Sequence, residues 1–79
     1  MDSVYELFVL TGCPYCAKVL TFMKDRGIEL PVRNISEDAE ARKTLEAVGG
    51  KVQCPCLFID GKPLYESDDI IAYLDAHVA

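Results

Sequence analysis

Residues 4–10 (VYELFVL) are apolar at nearly every position, the pattern of a central strand covered on both faces. The period then changes. Over residues 14–26, Cys16, Val19, Leu20 and Met23 recur at helical spacing, giving one apolar stripe. Pro14 suits the first helical position and Gly27 the position just past the end. Residues 28–35 read as a second strand alternating at Ile28, Leu30 and Val32. Pro31 removes a ladder donor from it, which puts it at a sheet edge. Ser36 is the expected cap of a second helix, with Glu37 and Asp38 in its first turn. Ala41, Leu45 and Val48 would form its buried stripe, and Gly49 and Gly50 would end it. Residues 56–59 and 62–65 flank Asp60 and Gly61, a hairpin signal. Ser67 is expected to cap a last helix, with Asp68 and Asp69 in its first turn and Ile70, Ile71, Tyr73 and Leu74 on its packing face.

The order β-α-β-α-β-β-α implies an α/β fold. The first two strands are parallel through a right-handed crossover, the last two are antiparallel, and helices cover both faces of one mixed four-stranded sheet. No repeat or linker divides the chain, so residues 1–79 read as one domain. Half the residues, 51%, are hydrophobic, which suits a packed core and argues against disorder. The formal charge of −5 comes without clustered Lys or Arg, so a nucleic-acid partner is not expected. Residues 4–10 are too short and too acidic at their start for a signal peptide, and no run approaches a membrane span. A soluble, cytoplasmic monomer is the expectation. In that compartment lasting structural disulfides are rare, and closely spaced cysteines are more often catalytic or metal-binding.

The sequence TGCPYC, residues 11–16, places Cys13 at the junction of the first strand and first helix. Helix N–H groups are unsatisfied there and the helix dipole is positive, and both favour a thiolate. Cys16 lies one turn inward on the apolar stripe, close enough to close a small disulfide ring. Cys13 is therefore the expected nucleophile and Cys16 the buried, resolving partner. The competing readings are a permanent disulfide and half of a zinc site. Metal binding would need Cys54 and Cys56, and C-x2-C followed far downstream by C-x-C is not a common zinc spacing. His77 reads as a solvated surface histidine. Pro55 enters the third strand, where a proline fits the first position and can be preceded by a cis bond.

Cys13-Pro14-Tyr15-Cys16, the proline-entered strand ending in Phe58-Ile59-Asp60-Gly61, and the start of the last helix at Ser67-Asp68-Asp69 together resemble the dithiol glutaredoxins along essentially the whole chain. That resemblance implies a thioredoxin fold. It also implies a glutathione-dependent thiol–disulfide oxidoreductase that reduces protein disulfides and glutathione mixed disulfides, with glutathione as cosubstrate and no tightly bound cofactor or metal. Partners would be disulfide-containing or glutathionylated proteins. By position, Cys13 would attack the mixed disulfide and hold glutathione. Cys16 would resolve protein disulfides and be dispensable for deglutathionylation. Gly12 and Pro14 would shape the active-site turn, and Tyr15 the groove. The backbone of Cys54, ahead of a cis Pro55, would pair with the cysteinyl part of glutathione. Ser67 and Asp68 would hold its γ-glutamyl end, and Arg42 or Lys51 its glycine carboxylate. The chain departs from the family in having Leu10 where a Lys is frequent, and Tyr65-Glu66 where Gly-Gly is usual. Residues 64–67 with the following helix look more like the glutathione-site helix of glutathione transferases. Cys54 replaces a usual Val, and two roles stand for it: a small core side chain, or a third thiol able to pair with Cys13 or Cys16 or to join a metal or cluster. Cys56 alternates away toward the core. The alternatives to the glutathione reading are an electron donor dedicated to one reductase and an iron–sulfur or other metal-binding module.

Overall fold

The structure, a computed structural model, describes residues 4–78. Its elements are β1 (Tyr5–Val9), α1 (Pro14–Arg26), β2 (Val32–Asn34), α2 (Ala39–Gly49), β3 (Cys56–Ile59), β4 (Lys62–Tyr65) and α3 (Ser67–His77). The strands form one sheet in the order β2-β1-β3-β4. β1 pairs parallel to β2 and antiparallel to β3, and β3 pairs antiparallel to β4.

Alternation along the central strands divides the core. Leu7 and Val9 of β1 and Leu57 of β3 face α1 and α3, meeting Cys16, Val19, Met23, Ile70 and Leu74. Phe8, Cys56 and Phe58 face α2, meeting Ala41 and Leu45. The Phe8 and Phe58 rings stack with centroids 4.6 Å apart, within the range of favourable aromatic pairs. β1 is apolar on both sides because both sides are covered.

The structure differs from the sequence expectations at several places. β2 is an edge strand as expected but spans only three residues. Hydrogen bonds from Leu7 N–H to the Pro31 carbonyl and from Ile35 N–H to the Val9 carbonyl extend its pairing at both ends. Asp38, not Ser36, caps α2: its carboxylate accepts the N–H groups of Glu40 at 3.0 Å and Ala41 at 3.1 Å. Ser36 lies in the preceding turn and serves the active-site loop instead. Val48 is exposed, because Gly49 takes the contact with the sheet in the last turn. A Cβ on Gly49 would come within 2.5 Å of the Tyr65 hydroxyl. Leu20 is also exposed rather than part of the stripe. The hairpin forms on Asp60 and Gly61, both at positive φ (52° and 84°), as a primed turn requires.

Candidate active site

Cys13 closes the turn that follows β1. Its N–H donates to the Leu10 carbonyl over 3.3 Å, and Gly12 within the turn has φ 77°, a conformation open to glycine at little cost. Three short polar side chains tie this turn to the end of β2. Thr11 N–H donates to Ser36 Oγ at 3.1 Å, Asn34 Nδ2 donates to Thr11 Oγ1 at 3.0 Å, and Ser36 N–H donates to Asn34 Oδ1 at 2.8 Å. Sequence reasoning assigned none of them to the site. Their only sequence signal is that Ser, Thr and Asn favour local backbone bonds, and that does not say which loop they hold.

Cys13 is itself the N-cap of α1, with φ −89° and ψ 114°. Its sulfur accepts the Cys16 N–H at 3.2 Å, taking the place of the usual Ser or Asp oxygen. The sulfur thus lies at the positive end of the helix, against a donor that would otherwise lack a partner. Cys13 is half-buried, whereas Cys16 is 2% exposed. Burial, and then the neighbouring Cys13 thiol, push the Cys16 thiol up to about 12. Cys16 therefore keeps its proton at neutral pH, and the accessible sulfur is that of Cys13.

The Cys54–Pro55 bond is cis, and the Cys13 thiol donates to the Cys54 carbonyl over 3.8 Å. Beside this contact runs a groove of about 290 Å³ lined by Tyr15, Gln53, Cys54, Pro55, Glu66, Ser67 and Asp68. Tyr15, Cys54, Pro55, Ser67 and Asp68 come together there from three separate stretches of the chain. Gln53 was not anticipated, whereas Glu66 belongs to the segment 64–67 already likened to the glutathione-site helix of glutathione transferases. Arg42 and Lys51 do not line the groove: Arg42 is exposed on α2, and the Lys51 ammonium sits 4.5 Å from the centre of the Tyr65 ring. Gly12, Pro14 and Cys13 instead border a second hollow of about 450 Å³ with Leu10 and Leu20, which accounts for the exposure of both leucines.

The groove ends at the start of α3. Ser67 is not the cap of that helix but its first residue, and it is buried. Glu66 occupies the cap position with φ 73° and no side-chain capping bond. Asp68 is 81% exposed and pairs with Lys18 of α1 at 2.5 Å. Lys18 was missed because nothing in the sequence says that α1 and α3 lie side by side. The remaining thiols, Cys54 and Cys56, are each pushed up to about 11, mainly by burial. Among the described residues, no group of three or more His, Cys, Asp or Glu is arranged to hold a metal ion. No helix among them is long and apolar enough to cross a membrane.

Comparison with known proteins bears on the family and the fold. The glutaredoxin family model matches residues 5–64. A probable glutaredoxin of Synechocystis is 35% identical over 73 residues, covering 91% of this chain and 83% of the relative. Glutaredoxin 3 of Escherichia coli is 28% identical over 71 residues, covering 90% and 84%. Among solved structures, a thioredoxin-like protein superposes with a TM-score of 0.79 at 24% identity, covering 95% of this chain and 99% of the other. At that identity the likeness establishes the thioredoxin-like fold alone.

Proposed function

The chain belongs to the glutaredoxin family of thiol–disulfide oxidoreductases, and from that premise we propose that it reduces glutathione mixed disulfides and protein disulfides with glutathione as the electron source. The observation that carries this reading is the position of the Cys13 sulfur. It is held by the Cys16 N–H at the start of α1 and faces the Cys54 carbonyl at the side of the groove.

In the proposed cycle the Cys13 thiolate attacks the glutathione sulfur of a mixed disulfide. The substrate sulfur leaves as a thiolate and takes a proton, and glutathione stays bonded to Cys13. A second glutathione thiolate then attacks its sulfur, releasing oxidised glutathione and restoring Cys13. The groove suits a γ-glutamyl tripeptide. The first N–H groups of α3 are available to its α-carboxylate, and Asp68 to its α-ammonium. The backbone of Cys54, which lines the groove, can pair with the cysteinyl unit. With a protein disulfide, Cys13 becomes bonded to the protein. Cys16 loses its proton, attacks Cys13 Sγ and expels the protein thiolate, leaving Cys13–Cys16. A thiol with a pKa near 12 is a slow nucleophile at neutral pH, so resolution by Cys16 trails attack by Cys13. Arg42 and Lys51 remain the candidate cations for the glycine carboxylate.

The test is glutathione-coupled reduction of a small glutathione mixed disulfide by wild type, Cys13→Ser and Cys16→Ser. The expected pattern is activity, none, and retained activity, in that order. An inactive wild type would remove glutathione from the reading and leave disulfide exchange with a dedicated reductase. Activity surviving in Cys13→Ser would overturn the assignment of the nucleophile.

A further inference from the structure

The proposed chemistry uses Cys13 and Cys16, and the structure separates the remaining two cysteines. Cys56 is fully buried on the α2 side of the sheet, among Phe8, Leu45 and Phe58. Cys54 is half-buried and packs against the cluster that contains Cys16. It meets the active site twice: its carbonyl accepts from Cys13 Sγ at 3.8 Å, and its side chain packs on the same core cluster that holds Cys16 and receives Cys13. Cys13 at the start of α1 and Cys54 from the loop before β3 thus converge on the cluster to which Cys16 belongs.

We infer that Cys54 is a third redox-active thiol whose disulfide partner is Cys16. Starting from the Cys13–Cys16 disulfide, the Cys54 thiolate attacks Cys16 Sγ. The Cys16–Cys54 bond forms, the Cys13–Cys16 bond breaks, and Cys13 leaves as the thiolate beside the Cys16 N–H. The Cys54 proton passes to solvent. No electrons enter or leave, so the protein stays oxidised by one disulfide while its accessible nucleophile is set free. In this form Cys13 has no resolving partner, and the protein works through its single exposed thiol. Burial keeps Cys54 protonated at neutral pH, so the exchange is slow there and quickens as pH rises.

The decisive experiment uses the full chain carrying Cys13→Ser, oxidised with diamide, a diazene that takes up the two protons and two electrons of the thiols as it becomes a hydrazine. Peptide mapping without reductant should find Cys16 linked to Cys54 and Cys56 free, and the further change Cys54→Val should leave no intramolecular disulfide. Three free thiols, or a link to Cys56, would overturn the inference. A second readout avoids the Cys13 substitution. Oxidised wild type is treated with iodoacetamide across pH 7–9, with circular dichroism confirming that each variant is folded. Label should appear on Cys13 at a rate rising about tenfold per pH unit, and Cys54→Val should abolish it. Label confined to Cys54 and Cys56 would equally overturn the inference. Neither readout involves glutathione, so both stand or fall separately from the glutathione reading.

Discussion

At Cys13 a sulfur stands where helices usually place a serine or aspartate oxygen, and that substitution joins capping to chemistry. The Cys16 N–H at 3.2 Å both begins the helix and fixes the sulfur at its N-terminus. Three residues further on, burial holds the Cys16 thiol protonated. Two identical side chains thus acquire different roles from their surroundings. Asp68 shows the same dependence on context. Its carboxylate is exposed and pairs with Lys18, an arrangement that at the surface contributes little to stability, and the residue lines the groove. If Asp68 holds the ammonium of the γ-glutamyl group, Asp68→Asn should raise KM for glutathione roughly 3- to 10-fold, the loss of one charge-assisted hydrogen bond at a wet site. The turnover number should stay close to that of wild type. Steady-state kinetics with varied glutathione measure this, and an unchanged KM would remove Asp68 from the site.

The helices are held by different devices at their starts, and each gives a distinct stability effect. α2 relies on Asp38, whose carboxylate accepts two backbone N–H groups. Asp38→Ala should therefore cost about 1 kcal/mol, read as a lower urea midpoint with an unchanged slope. α3 has no side-chain cap, and Glu66 before it sits at φ 73°, a left-handed conformation that costs a non-glycine residue about 1 kcal/mol or more. Glu66→Gly should recover about 1 kcal/mol in the same assay. A loss of stability would mean that the Glu66 side chain supports the groove in a way its contacts do not reveal. The short β2 depends on its neighbours rather than its own sequence. Pro31 and Ile35 bracket it with backbone bonds to β1, and the Asn34–Thr11–Ser36 bonds then fix the turn that carries Cys13.

For the whole molecule, three thiols titrate above their ordinary value of 9.0: Cys16 at about 12, and Cys54 and Cys56 at about 11. In the reduced protein the unfolded chain releases these protons first as pH rises. Their contribution to stability is therefore fully present below pH 9 and is lost as pH climbs toward 11–12. Urea unfolding of reduced protein at stepped pH should show this fall, and Cys56→Ala should make it shallower. An identical slope in that variant would show that Cys56 is not held protonated by its burial. The sequence alone determined most of the framework. The unbroken apolar run of β1 required cover on both faces, Asp60-Gly61 allowed little but a hairpin, and Pro14 and Gly27 bounded α1 correctly. The C-x-x-C pair likewise placed one thiol at the start of α1 and the other on its buried stripe, because local spacing and the helix terminus are properties of adjacent residues. What adjacency could not reveal, the tertiary structure decided. Asp38 rather than Ser36 became the cap, Leu20 and Val48 were left outside the core, and Lys18 met Asp68 across two helices. Cys54 was brought to Cys16 from a distant loop. These outcomes depend on how the helices dock on the sheet, and docking follows the summed packing of both core faces, which no single stretch of the chain encodes.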